Sequence, residues 1–136
     1  MLVGRILDEV RLLGVRLRRR QDEIARGCGQ SRGAWHVLEA AQGGGRSVAQ
    51  LARKLGQTRQ GVQRIADGLV DNGLATYESN PDHRRSPFLQ LSEHGRSALR
   101  ALQREADARA PDVEQDFEAE DLETVLQVLR ALREAL

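Results

Sequence analysis

No apolar run in the 136-residue chain approaches the roughly 20 residues that a helix needs to cross a bilayer. Its first residues also lack the charged, apolar and small-residue sections of a secretion signal. A cytoplasmic protein without a membrane partner is the expectation. Cysteine occurs once, as Cys28, so no disulfide can form within the chain and a reducing compartment suits it. Lysine is nearly absent: all but Lys54 of the 21 basic residues are arginine. There is no internal repeat and no low-complexity tract. The three histidines, His36, His83 and His94, fall on separate segments with no cysteine or carboxylate set at metal-ligand spacing, so no metal is expected. Gly43-Gly44-Gly45 lacks the Lys-Ser/Thr that completes a phosphate-cradling loop. Nothing pairs a nucleophile with a base, and no isolated carboxylate pair sits on an apolar face. Neither an enzyme nor a cofactor is expected.

What is present begins with length, which suits one domain with a real core. The formal net charge is only +1, a poor start for a binder of polyanions. Its distribution reverses that reading. Residues 46–90 hold seven basic and four acidic side chains, a local balance of +3, whereas residues 105–136 hold three basic and ten acidic ones, a balance of −7. A basic middle beside an acidic tail fits a chain in which one part meets phosphates and another faces solvent or a second copy.

The most informative stretch is Ser47 to Asn72. Val48, Leu51, Ala52 and Leu55 recur at i, i+3, i+4 and i+7, one apolar helical stripe. Ser47 followed three residues later by Gln50 has capping-box spacing, and Gly56 can take the left-handed conformation that ends a helix. Thr58 is a good N-cap for a second helix, with its stripe at Val62, Ile65, Ala66 and Leu69. Two helices joined by so short a glycine-containing turn match a helix-turn-helix. With the second stripe turned inward, Gln60 and Arg64 lie opposite it, flanked by Arg59 and Gln63. Arg and Gln suit the base edges of a major groove, and these four lie in the half of the helix that reaches them. A merely solvated face would carry the same residue types.

The following residues separate those two readings. After Asn72-Gly73, Leu74 to Ser79 reads as a strand, Asn80-Pro81-Asp82 as a turn, and Phe88 to Leu91 as the returning strand. The hairpin carries His83, Arg84 and Arg85 at its tip. A basic hairpin directly behind a helix-turn-helix suits a wing that rests on phosphates or enters a minor groove.

Residues 47–99 resemble the winged helix-turn-helix core of MarR-family transcriptional regulators. The likeness is carried by the LA-x-x-LG turn at Leu51 to Gly56, the T-R-Q-x-V-x-R that follows, the D-G-L-x-x-x-G-L exit at Asp67 to Leu74, and R-R-S-P-x-L-x-L-S-x-x-G-R at Arg84 to Arg96. The family commonly has Asp-x-Arg in the wing. Here the register offers Asp82 with Arg84, or His83 in the aspartate position with Arg85, and the sequence leaves both open.

Helices flank this core. The first is expected from about Val3 to about Arg26, with Val3, Ile6, Leu7, Val10, Leu13 and Leu17 on one face. Ser31 caps a second, carrying Trp35, Leu38 and Ala41, and Arg46 offers a short strand to the wing. Ser92 caps a long helix that Pro111 interrupts or ends. The last helix, from about Glu118, carries Leu122, Val125, Leu126, Leu129, Leu132 and Leu136. Nothing further along the chain covers this stripe, so either the protomer folds it back on itself or two copies bury it together. The resemblance implies the second, since terminal helices form the dimer in MarR-like proteins.

The expected architecture is mainly α with a small β-hairpin wing (α+β): a winged helix-turn-helix with N- and C-terminal dimerisation helices. Residues 1–136 form one MarR-like domain, 31–97 being the DNA-binding core and 1–30 and 98–136 the dimerisation helices. The expected function is a homodimeric, ligand-responsive repressor of transcription on a palindromic operator in double-stranded DNA. Ser47, Thr58, Arg59, Gln60, Gln63, Arg64, His83, Arg84 and Arg85 are the candidate DNA contacts, Ser47 and Thr58 through hydroxyls and helix N-termini at phosphates. The resemblance also implies a small aromatic effector, for which Trp35 and His36 are the candidate contacts. Cys28 lies at the end of the first helix, away from the start of that helix where some MarR-like regulators sense oxidants, and reads as an ordinary thiol. The rival reading is a winged-helix protein-interaction module without DNA binding.

Overall fold

The computed structural model describes residues 1–110 and 114–136. In chain order these form α1 (Leu2–Gly27), α2 (Arg32–Ala40), β1 (Arg46–Ser47), α3 (Val48–Leu55), α4 (Arg59–Asp71), β2 (Ala75–Glu78), β3 (Phe88–Leu91), α5 (Glu93–Ala108), a 3-10 turn at Glu114–Asp116, and α6 (Ala119–Ala135). The chain end of α5 falls at Ala108; Pro111, the expected helix breaker, lies outside the described residues.

Local chemistry sets the boundaries of the central helices. Ser47 and Gln50 close a full capping box on α3: Gln50 N donates to Ser47 Oγ at 3.3 Å, and Ser47 N donates to Gln50 Oε1 at 2.8 Å. Gly56 ends the helix at φ 64°, a left-handed conformation that a Cβ would strain. Thr58 Oγ1 accepts from Gly61 N to start α4. Each such cap contributes about 1 kcal/mol.

The core is a single cluster into which the expected stripes turn. Leu51 and Ala52 of α3, with Val62, Ala66 and Leu69 of α4, are buried against Val37 and Leu38 of α2 and Leu99 and Leu102 of α5. A small antiparallel sheet in the order β1-β3-β2 closes one side, pairing Arg46 with Leu89 and Tyr77 with Leu89 across its two ladders. The two-residue strand at Arg46 thus forms as expected, and β3 becomes the central strand. This is a winged helix-turn-helix, with β2 and β3 as the wing.

The terminal helices behave differently. Only Ile24 and Ala25 of α1 are buried, both near the end that meets α2 and α5, and α6 buries no residue. The expected apolar faces of both helices are therefore open in the protomer. A division at residue 98 would also cut α5, whose two buried leucines belong to the core.

One close approach locks the wing to α5. Ser92 N donates to Leu74 O at 3.0 Å and Ser92 Oγ donates to Gly73 O at 2.6 Å, laying the first turn of α5 on the backbone that leaves α4. A Cβ on Gly95 would stand 1.9 Å from Leu74 O, and backbone cannot move aside as a side chain does. Gly95→Ala is expected to lower stability by about 1–3 kcal/mol in urea unfolding at fixed protein concentration. Gly68→Ala, with nothing within 4 Å of its Cβ, is expected to be neutral or slightly stabilising, and equal losses in both would refute the steric account.

Candidate nucleic-acid interface

Burial of Val62, Ala66 and Leu69 fixes the rotation of α4 about its own axis, so the opposite side of the helix must face outward. Arg59, Gln60 and Arg64 are exposed there, and Gln63 is half-buried at the flank. Among the described residues none of the three exposed side chains has a hydrogen-bond or ion-pair partner. The wing carries His83, Arg84 and Arg85, all exposed, and their side chains have no hydrogen-bond or ion-pair partner among the described residues.

The wing is braced from within. Asn80, 7% exposed, donates from Nδ2 to Ser86 O at 2.9 Å and accepts from Asp82 N at 3.2 Å. This side chain ties the two ends of the tip together and so limits where the basic residues point.

Helix and wing meet in a cleft of about 210 Å³ lined by Ser47, Val48, Ala49, Arg59, Gln63, Tyr77, Arg85, Ser86 and Pro87. The fold thus brings Arg59 and Gln63 of α4 together with Arg85 of the wing and the N-terminus of α3. Arg84 lies outside this cleft. Ser47 also lines it, but the residue is 6% exposed and its hydroxyl already accepts from Gln50, so its place in the structure is that of a cap. Thr58 is exposed, with its hydroxyl likewise engaged as a cap.

Charge changes sign along α4. A shallow groove beside the cleft is lined by Arg59, Gln60, Gln63 and Arg64 and then by Asp67, Gly68 and Asp71. A polyanion is attracted to the first two turns and repelled from the last, which restricts approach to the N-terminal half.

Sequence reasoning missed Tyr77 and the role of Asp67. Tyr77 Oη of β2 donates to Asp67 Oδ1 at 2.5 Å, and Gln63 Nε2 donates both to Asp67 Oδ1 at 2.9 Å and to Tyr77 Oη at 3.0 Å. The bond from Tyr77, followed by that from Gln63, holds the Asp67 carboxyl below the ordinary carboxylate range. Burial, then the bond to Asp67, pushes the Tyr77 phenol above its ordinary value. At neutral pH Asp67 is therefore ionised and Tyr77 protonated. A depressed carboxyl stabilises the fold above its unfolded pKa and loses that contribution as pH falls through its folded pKa, so the bonds to Asp67 hold across the neutral range and are lost in acid. The i, i+4 spacing of Gln63 and Asp67 was legible; the third partner comes from another element.

The two residues considered for an effector lie elsewhere, on α2. Trp35 is 7% exposed and its indole Nε1 is buried with no hydrogen-bond partner; His36 is half-buried. Cys28 is the C-cap of α1, half-buried against the core. Among the described residues no group of His, Cys, Asp and Glu is arranged to hold a metal ion, and no helix is long and apolar enough to cross a membrane.

Comparison with known proteins gives a consistent picture. The family model described as "MarR family" matches residues 29–86. The uncharacterized protein Rv2011c of Mycobacterium tuberculosis is 43% identical over 100 residues, which cover 74% of this chain and 70% of that one. Among solved structures, the MarR family transcription regulator SP03579 superposes with a TM-score of 0.86 at 22% identity, over 98% of this chain and 89% of that one. A mutant MarR from E. coli, complexed with operator DNA, superposes with a TM-score of 0.80 at 16% identity, over 97% and 94% of the respective chains. At such identities the structural likeness speaks for the fold.

Proposed function

The chain belongs to the MarR family, and from that premise we propose that it is a sequence-specific, double-stranded DNA-binding regulator of transcription, non-enzymatic and acting in the cytoplasm as a homodimeric repressor. The observation that carries this reading is the shared outward surface of α4 and the wing, where Arg59 and Arg85 line one cleft and Gln60 and Arg64 stand unpaired beside it. In the proposed complex Gln60, Gln63 and Arg64 meet base edges in the major groove. Arg59, the N-termini of α3 and α4 behind Ser47 and Thr58, and the wing residues His83, Arg84 and Arg85 meet phosphates or the minor groove. Unpaired arginines grouped on one surface favour this over a protein-interaction module without DNA binding, for which the acidic last helix would be the contact.

The dimer follows from apolar exposure. Every exposed large hydrophobic side chain among the described residues lies in 1–17 or 117–136, including Val10, Leu13, Val125 and Leu129. Facing portions of α1 and α6 leave a mainly apolar groove of about 830 Å³. So much apolar surface gathered at the two ends of one chain is what a two-fold interface buries, at about 25 cal/mol per Å² covered. Two protomers so related would present their α4 helices to half-sites roughly 34 Å apart on a palindromic operator.

A small aromatic effector is proposed to release the repressor, with Trp35 and His36 as contacts. The support is the buried indole N–H of Trp35, which lacks an acceptor.

Three measurements test these readings. In fluorescence-anisotropy titrations on random duplex, binding is expected to weaken steeply with salt. On a duplex enriched by selection, Arg64→Ala is expected to cost about 1–3 kcal/mol, while Arg85→Ala weakens all sequences evenly and lowers the salt slope by about 1. Wild-type binding by Arg64→Ala would show the assigned helix face to be wrong. Sedimentation should give twice the chain mass, reduced towards one chain by Val125→Asp with Leu129→Glu; a stable wild-type monomer would remove the dimer. Trp35 is the sole tryptophan, so its emission should change on titration with benzoate as a probe aromatic carboxylate, and an unaltered spectrum at saturating probe counts against this contact.

A further inference from the structure

Positive charge gathers at a second place in the chain, outside α4 and the wing. Residues 16–32 hold six arginines and two acidic residues, a balance of +4. Burial of Ile24 and Ala25 turns one side of α1 into the core, so Arg19 and Arg26 lie on the other, with Arg18 at its edge; all three are exposed. They line a shallow hollow of about 400 Å³ together with Arg32 of α2, Asp22 and Glu23. Asp22 is taken by Arg32, whose Nε stands 3.3 Å from Asp22 Oδ1. The side chains of Arg18, Arg19 and Arg26 have no hydrogen-bond or ion-pair partner among the described residues. Glu23 alone is left to face three unpaired guanidinium groups, and the hollow attracts anions.

Its place in the fold says which anion. Arg32 is the first residue of α2, and its pair with Asp22 ties that first turn to α1. The next residue, Gly33, sits so close to α4 that a Cβ there would stand 2.9 Å from Ile65 Cδ1. Ile65 neighbours Arg64 and lies on the flank of α4 opposite Gln63, the residue that bonds Tyr77 of β2. Cationic groups therefore flank α4 on both sides: Arg85 of the wing beyond Gln63, and the α1–α2 corner beyond Ile65. A helix lying in a major groove about 12 Å wide has a phosphate strand on either side, so two flanks meet two strands. The hollow is open and its arginines exposed, whereas a small-molecule site encloses most of its ligand. An extended row of phosphates is the anion it fits.

Resting on the DNA-binding reading above, we propose that Arg18, Arg19 and Arg26 form a second phosphate-contact surface, holding the strand on the side of the major groove away from the wing. The contact carries no sequence information. It supplies affinity to a chain whose net charge is only +1.

The test compares wild type with two triple variants, Arg18→Gln/Arg19→Gln/Arg26→Gln and the charge-keeping Arg18→Lys/Arg19→Lys/Arg26→Lys. Both place good helix formers at exposed positions, so thermal unfolding should stay close to wild type. In anisotropy titrations on random duplex the Gln variant should lower the salt slope by about 2 or more, at roughly 0.9 per phosphate released, and the Lys variant should keep it. Removing charge anywhere weakens long-range attraction, so a map of the contacted phosphates decides the matter. Ethylation interference on a selected duplex should show two clusters of blocked phosphates per half-site for the wild type, one on each strand beside the same groove. The Gln variant should lose one cluster and Arg85→Ala the other, while the bases selected from a random pool stay those of the wild type. If the Gln variant keeps the wild-type slope and map, the second surface falls and the DNA-binding reading stands. A lowered slope with an unchanged map overturns it equally. If the folded wild type shows no salt-dependent binding to random duplex, both fall together.

Discussion

The inward stripe of α4 is the constraint from which the rest follows. Val62, Ala66 and Leu69 are buried against α2, α3 and the sheet, and Val62 and Leu69 each contribute about 1.5–3 kcal/mol by leaving water. A helix cannot turn one face in without turning the other out. Once this stripe is seated, Gln60 and Arg64 have no interior to enter and Gln63 is carried to the edge facing β2. The same seating places the end of α4 so that the chain can leave through Gly73 and Leu74 under the first turn of α5.

That exit explains why a small sheet and a single hydroxyl matter to a surface made mainly of arginine and glutamine. Ser92 holds the backbone at Gly73 and Leu74, and Leu74 leads directly into β2. Tyr77 is three residues further on, placed by its pairing with Leu89, and from there its hydroxyl reaches across to Asp67 of α4. The wing and the helix are therefore not independent attachments. They share a hydrogen-bonded seam, so the position of the basic tip and the orientation of Gln63 are set by the same packing. At the far end of the hairpin Asn80 supplies the second brace.

Charge and apolarity are segregated along the chain in a way that suits this division. The outward face of α4 is cationic only over its first two turns, because Asp67 and Asp71 occupy the last. Among the described residues the large exposed apolar side chains lie in 1–17 and 117–136, and none of them lines the cleft or groove that carries Arg59, Arg64 and Arg85. Acidic residues concentrate in the final third of the sequence, where they accompany the apolar stripe of α6 and oppose any phosphate approach from that side.

Much of this architecture was legible in the residues themselves, because it depends on local chemistry. Helical periodicity placed the stripes of α3 and α4, capping spacing marked Ser47, Thr58 and Ser92, and strand composition located Phe88–Leu91. Motif spacing led to the family, and rotation of α4 about its stripe identified Gln60 and Arg64 as outward-facing. Contacts between distant segments were not readable in this way, since nothing in either segment alone encodes the distance between them. Tertiary structure decided that Tyr77 closes a triad with Gln63 and Asp67, that Arg85 rather than Arg84 lines the cleft with Arg59, and that Gly95 sits where Leu74 leaves no room for a Cβ. It also decided that Ser47 spends its hydroxyl on a cap. Sequence by itself determined which faces the helices have, because periodicity is a property of one segment; only the packed chain determined what those faces touch, because contact is a property of two.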